Sequence, residues 1–382
     1  MGMKILMVVT YYTPHVSGLT IYVERISQEL ARRGHEVTVM TSRHLPGLPA
    51  REKLHGVSVV RLPVALRISK GVIMPSLPWE AYPLVRQSDV VHMHLPLMES
   101  SYIAWLAGLA PRRRSVITYH CDLRLPRAPL ASTIVKALTL SHWLGARQTD
   151  VLVTYTRDYA DNSTFLRSFR QKVATVYPPI LVAPPDPDAT ARWRRELGLD
   201  GHRLVGFAGR FSEEKGGSYL LGSIPEVAAA APDVRYLFAG EYRRVIGENY
   251  YRKVQHLIEK FRDRVLFLGE LRGQQLSNFY SMCDVLTLPS INSTESFGMV
   301  QVEAMLCGTP VVASDIPGVR EATRVTGMGL VVPPADQSAL ARGLLEVLLH
   351  PEKYRTPKID VADTFSVARN VDFYEELYAR RS

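Results

Sequence analysis

Two carboxylates eight residues apart, Glu295 and Glu303, stand in the run 288–305, Leu-Pro-Ser-Ile-Asn-Ser-Thr-Glu-Ser-Phe-Gly-Met-Val-Gln-Val-Glu-Ala-Met. The run reads as the end of a buried strand at 285–288, a polar turn, and a short helix stopped by Gly308 and Pro310. Because Phe297, Met299, Val300, Val302, Ala304, Met305 and Leu306 make that helix apolar nearly all round, it is expected to be buried. A carboxylate in such surroundings is costly unless it accepts hydrogen bonds, and a sugar offers rows of hydroxyl donors. The helix start, with the backbone amides of Ser296, Phe297 and Gly298, is a seat for an anion. Hydroxyl-binding carboxylates beside a phosphate-binding helix end suit a nucleotide-sugar. A plainer reading has Glu295 helping to cap the helix and Glu303 on a solvated edge, and the stretch alone leaves both open.

A second constellation lies upstream. Arg210 and Lys215 sit five apart on the glycine-rich loop 209–217, between an expected strand at 204–208 and a helix. That spacing would hold a guanidinium and an ammonium over a diphosphate and neutralise charge that grows as a nucleotide leaves. Walker-type spacing is absent, and the two cations could instead only decorate a helix start. His120 ends the expected strand 115–120, at the carboxyl edge where open parallel sheets bind ligands; the other reading is a satisfied core histidine. His92 and His94 share one face of the strand that ends Val-His-Met-His, a spacing that raises the question of a metal. No third ligand follows, so His94 reads as lining the site and His92 as packing.

The elements that must position these groups alternate strand and helix. Strands are expected at 4–9, 36–41, 57–62, 88–92, 115–120, 150–154 and 173–177, with a first helix at 19–33 ended by Gly34. A proline-rich connection at 178–187 follows, and then a helix at 189–197, strands at 204–208, 234–239, 265–271, 310–314 and 329–332, and helices at 336–349 and 366–381. The fold class is therefore α/β with parallel sheets, in about two domains: 1–180, and 181–365, with the closing helix as a separate segment. The range 123–147 mixes Leu130, Ile134, Leu138, Trp143 and Leu144 with Arg124, Arg127, Lys136 and Arg147. It reads as a membrane-docking amphipathic helix or, as preferred here, a helix packed on the sheet with its basic residues outward. Arg112, Arg113 and Arg114 form a further basic run.

Hydrophobic content of 46% with 22% charged residues is that of an ordinary globular chain. Neither a membrane span nor a signal-peptide layout is recognisable, and Cys121, Cys283 and Cys307 lack metal-ligand spacing, so a reducing, cytoplasmic setting is expected. Charge is unevenly divided. Residues 1–180 carry 22 Lys and Arg against 11 Asp and Glu, a net of +11, whereas the remainder carries 24 against 26, a net of −2. The basic half implies an anionic partner, such as a membrane surface or a phosphorylated acceptor.

The Glu-x7-Glu run, the Arg210 and Lys215 loop and His120, spread over almost the whole chain, resemble retaining glycosyltransferases of the GT-B fold, family 4. The resemblance implies two Rossmann-like domains facing a central cleft, an acceptor-binding domain at 1–180 and a nucleotide-sugar-binding domain at 181–365, with the helix 366–382 crossing back onto the first. It assigns His120 and Glu295 to catalysis and Arg210, Lys215, Gly240, Leu271, Ser296, Phe297, Gly298, Met299, Val300 and Glu303 to the donor. Gly18 joins them from the first loop, where Ser17 and Gly18 replace the usual glycine pair. Ser17, His94 and Asp122 fall on the acceptor side. Tyr242 stands where a second glycine often follows Gly240, and Val367 where a tryptophan is common.

The expected activity is transfer of a sugar from a UDP- or GDP-sugar, such as GDP-mannose, with retention. No cofactor or metal is expected. The acceptor is expected to be lipid-linked or phosphorylated, as in glycolipid or cell-surface glycan synthesis, with possible peripheral contact with an anionic membrane. Two rivals stay in view: a nucleotide-sugar epimerase of the same architecture, and a non-catalytic nucleic-acid binder drawing on the basic half. The second lacks aromatic interleaving in its basic runs, so no nucleic acid is expected.

Overall fold

A computed structural model describes residues 2–68, 71–109, 113–122, 131–243 and 250–380. The chain divides into two compact units, Met1–Pro179 with Ser366–Ser382, and Ile180–Phe365. The basic residues Arg112, Arg124 and Arg127, with Leu123 and Leu130, lie outside the described residues.

Unit 1 is built on β1 (Lys4–Val8), β2 (Glu36–Ser42), β3 (Arg51–Leu54), β4 (Val57–Leu62), β5 (Leu66–Ile68), β6 (Gly71–Ile73), β7 (Val90–Leu95), β8 (Arg114–Tyr119), β9 (Val151–Thr154) and β10 (Val173–Thr175). Eight of these form one sheet in the order β10-β9-β8-β7-β1-β2-β4-β3, parallel except for the β3 edge, while β5 and β6 make a separate hairpin. The chain leaves β1 toward β2 and later returns past it to β7, so the order reverses between β1 and β7. Loops at such a reversal splay apart beyond the strand carboxyl ends and leave room for a ligand.

The helix Gly18–Arg32 lies on one face of the sheet and the helices Leu77–Gln87, Ser100–Gly108 and Ala131–Gln148 on the other. The strands match this two-sidedness. Along β7, Val91, Met93 and Leu95 join the apolar core with Ala81, Val85, Ile103 and Leu106, whereas His92 and His94 point to the opposite face. There the closing helix Val367–Ala379 lies against Gly18–Arg32. Arg33 fixes the pair, donating to Glu29 (2.9 Å) and Glu375 (2.6 Å), and Glu375 also meets His35 Nε2 (2.7 Å).

Unit 2 contains β11 (Leu204–Ala208), β12 (Arg235–Ala239), β13 (Val265–Gly269), β14 (Val285–Leu288), β15 (Val311–Ser314) and β16 (Gly329–Val332), all parallel in the order β13-β12-β11-β14-β15-β16. Its reversal falls between β11 and β14. Phe207, Phe211, Phe238 and Phe267 pack together on the β12–β13 side, with Phe238 and Phe267 stacked 4.7 Å apart.

Candidate functional site

The two loops singled out in the second half follow β11 and β14, so they flank the unit 2 reversal. They touch through the backbone. Ile291 N donates to Glu214 O (3.0 Å), and a Cβ on Gly216 would lie 1.9 Å from the Pro289 carbonyl oxygen. Only glycine fits at 216, both for that approach and for its left-handed φ of 71°. The short turn Glu213–Lys215 then aims Lys215 across the gap, and its Nζ is paired with Glu295 Oε2. Both groups are mostly buried, at 23% and 16% side-chain exposure. Arg210 is exposed at the loop's outer edge, 3.9 Å from Glu214. The hydroxyls of Ser212 and Ser290, one from each loop, are buried and have no hydrogen-bond partner among the described residues.

Neither plainer reading of the carboxylates holds. Glu295 does not cap the helix, whose N-cap is Gly298 without a side-chain bond, and Glu303 is 7% exposed and accepts from the Tyr280 hydroxyl at 3.0 Å. One expectation needs correction: the helix is Met299–Leu306, so Ser296 and Phe297 precede it and the amides of Met299 and Val300 stand at its start. The break is local. Gly298 takes a φ of 78°, and a Cβ there would lie 2.1 Å from Leu288 Cδ2. Phe297 is instead a core residue, 5.9 Å from the Phe365 ring. Gly240 follows β12 at a φ of 132°, where a Cβ would lie 2.1 Å from Gly209 O. Leu271 lies two residues beyond β13, and Tyr242 packs 4.8 Å from Phe267.

In unit 1 the sequence spacing missed a convergence. His120, just past β8, reaches His94 at the end of β7, with Nδ1 of His94 and Nε2 of His120 3.0 Å apart. Parallel pairing of His94 with Thr118 is what brings His120 there, and strand register cannot be read from one strand. His120 Nδ1 is hydrogen-bonded to the Tyr155 hydroxyl. His92 is held at both nitrogens, by Tyr378 and by Thr118 (2.7 Å each). Thr118 also meets Tyr374, and Tyr374 meets Tyr22 (2.7 Å each). Among the described residues no three His, Cys, Asp or Glu side chains are grouped to hold a metal ion.

Burial disfavours charge on the three imidazoles and on the phenols of Tyr22, Tyr374 and Tyr378. The His92 and His120 imidazoles are pushed down to about 3, His94 also falls well below the usual histidine range, and the Tyr22 phenol is pushed up to about 12. At neutral pH His120 is therefore an uncharged donor and acceptor. The partners Tyr374 and Tyr378 sit four apart on the closing helix, a spacing that marks one helix face and was the available signal.

The acceptor-side candidates are engaged locally. Ser17 caps the helix Gly18–Arg32, its hydroxyl accepting from Thr20 N while its own amide donates to Thr20 Oγ1. Asp122 accepts from Tyr119 (2.9 Å) and Ser163 (2.9 Å), and its amide donates to Tyr159 (2.7 Å).

Two doubly wound units, each carrying its polar groups on loops beyond the carboxyl ends of a parallel sheet, define the GT-B class of fold. A crystal structure of Anabaena HepE in complex with UDP is similar to this chain with a TM-score of 0.77 at 20% identity, over 98% of this chain and 99% of that one. Residues 189–359 match the family Glycosyl transferases group 1, and residues 17–179 match the Glycosyl transferase 4-like domain. A D-inositol 3-phosphate glycosyltransferase of Mycolicibacterium gilvum is 30% identical over 96% of this chain and 86% of its own length. An uncharacterized glycosyltransferase of Methanocaldococcus jannaschii is 27% identical over 91% of this chain and 89% of its own. The chain belongs to the group 1 glycosyltransferases, and glycosyl transfer, rather than donor epimerisation or nucleic-acid binding, is the chemistry these matches favour.

Proposed function

We propose that the protein transfers a sugar from a nucleoside-diphosphate donor to an anionic acceptor with retention of configuration. The observation that carries this reading is the junction of the β11 and β14 loops, where Lys215 and Glu295 meet, with Arg210 exposed on the same β11 loop. Lys215 and Arg210 are the groups for the diphosphate, the Glu295 carboxylate for the sugar hydroxyls, and Glu303 for the ribose hydroxyls. The amides of Met299 and Val300, at the positive end of a helix, supplement the two cations. In the proposed step the bond from the anomeric carbon to the phosphate oxygen breaks and the acceptor oxygen bonds to the same face. The acceptor proton passes to the departing phosphate oxygen, so the nucleoside diphosphate leaves with it. For His120 to serve the sugar as a neutral hydrogen-bonding group, its ring must exchange its bond to His94 or Tyr155 for one to a sugar hydroxyl. With two cations and a helix end supplying positive charge, no metal is required of this scheme.

A UDP-sugar is the preferred donor, supported by the HepE structures in complex with UDP and with UDP-glucose. A GDP-sugar is the alternative. A phosphorylated or lipid-linked acceptor is supported by the +11 charge of residues 1–180 and by the relative named for D-inositol 3-phosphate. Thermal stabilisation by UDP, GDP and ADP, each with and without a chelator, tests the donor reading. A chelator-insensitive shift of several degrees with UDP alone is expected. No shift with any nucleotide would refute the donor site.

A further inference from the structure

The helices Leu77–Gln87, Ser100–Gly108 and Ala131–Gln148 lie side by side on one face of the unit 1 sheet, and their outward surface is aromatic. Trp79 is 75% exposed, Trp105 50%, Leu140 58% and Trp143 38%, with Tyr82 and Leu109 also exposed. Three of the chain's four tryptophans stand here. Indole rings are rarely left in water, and a monomer seldom gathers several on one surface.

The layer is continuous. The Tyr102 hydroxyl donates to Pro78 O (3.1 Å) between the first two helices, and Ser101 and Ser141 hydroxyls meet (3.0 Å) between the second and third. Its charge is mostly positive. Arg86 lies over the Tyr82 ring (5.7 Å), Arg147 lies over the Trp143 ring (5.3 Å), and Lys136 is exposed. Glu80 is the sole acidic residue within the three helices, and Arg51 holds it at 2.9 Å. The preferred sequence reading packed the third helix on the sheet with its basic residues outward; Leu140, Trp143 and Leu144 are exposed there as well.

We infer that this face docks on an anionic lipid bilayer, the tryptophan rings entering the headgroup region while Arg86, Lys136 and Arg147 meet lipid phosphates. Amphipathic rings interleaved with cations suit that boundary, where each ring keeps its N–H in the wet layer and its body in the apolar one. A second protein surface would need acidic groups facing these three cations, and a second copy of this face repeats the same positive charge. Among the described residues no helix is long and apolar enough to cross a membrane, so the contact is with the surface. The inference rests on this surface and not on the donor site.

Intrinsic tryptophan fluorescence tests it with the full chain and vesicles of phosphatidylcholine, alone or mixed with phosphatidylglycerol. A blue shift and co-sedimentation with the anionic vesicles only, weakening as salt is raised, are expected. Replacing Trp79, Trp105 and Trp143 by Ser should lower the partition coefficient by about tenfold or more per ring. Arg86→Glu with Lys136→Glu and Arg147→Glu should remove its dependence on anionic lipid. Thermal stabilisation by UDP, measured on the same variants, should be unchanged, which separates loss of docking from loss of fold or donor site. Equal binding to neutral vesicles would overturn the anionic assignment. Absence of binding to either, or a lipid-free dimer that the tryptophan variants abolish, would overturn the bilayer as the occupant.

Discussion

Unit 1 ends β7 and β8 in His94 and His120, neutral rings sealed among phenols, whereas unit 2 ends β11 and β14 in loops tied by a charged pair, Lys215 and Glu295. The two reversal points are alike in topology and opposite in chemistry. Imidazoles can be buried without net charge; His92 spends both of its nitrogens on Tyr378 and Thr118, whereas His94 Nε2 is buried with no partner among the described residues. An ion pair buried as deeply would lose more hydration than it regains, so Lys215 and Glu295 keep some exposure and sit on glycine-shaped backbone. A neutral array holds a fixed pattern of donors and acceptors. A charged pair can exchange one partner for a ligand's phosphate or hydroxyls.

Breaking the charged side is expected to have the largest effect. Lys215→Ala should cut kcat/KM for sugar transfer by about a hundredfold or more, in line with the loss of one preorganised cation at a leaving phosphate. It should also abolish the UDP thermal shift. An unchanged shift would remove Lys215 from the diphosphate and weaken the contrast.

Acid should separate the units next. The buried histidines among the described residues, His44, His92, His94, His120 and His142, all lie in unit 1. His44 and His142 are lowered by burial as well, His142 to about 4. Once unfolded, these rings regain a value near 6.5, so between about pH 6.5 and 3 the unfolded state binds more protons than the native state. Their contribution is complete above pH 6.5 and is lost as pH falls toward 3. Hydrogen exchange at pH 7 and pH 4 should show unit 1 peptides losing protection first. Simultaneous loss in both units would mean that the imidazoles do not set acid stability.

Tyr374→Phe sharpens the neutral side and is the smallest of the three. It removes the hydroxyl that joins Thr118 to Tyr22 and should cost about 1–3 kcal/mol in denaturant unfolding while leaving the UDP shift intact. A loss of the UDP shift would tie the tyrosine array to the donor site.

The parallel strands were legible because buried strands are written as short apolar runs between glycines and polar turns, as at 204–208 and 285–288. The β3 edge was not, since Arg-Glu-Lys-Leu carries no apolar alternation and its place is dictated by pairing with β4. The helix Leu77–Gln87 was hidden by Pro83 within it. Among candidate site groups, Glu295, Lys215 and His120 could be named from residue type and spacing. Their immediate partners could not. Lys215 meets Glu295 across 80 residues of sequence, and His120 meets His94 through strand register. Gln301 was given no role from the sequence, yet it is fully buried and donates to Val319 O (2.9 Å) while accepting from Thr323 (3.1 Å).

The closing helix has a consequence for biosynthesis. Tyr374 and Tyr378 complete the polar layer beneath His92, but they leave the ribosome after all of 180–365 has been made. At about 5–20 residues per second, the nascent first half waits roughly 10–40 seconds for them. Its imidazole face stays uncovered over that interval, while the uninterrupted second half can complete its own core first. The order of synthesis and the order of completion are thus reversed, and nascent-chain chaperones have the longest access to the half that is made first.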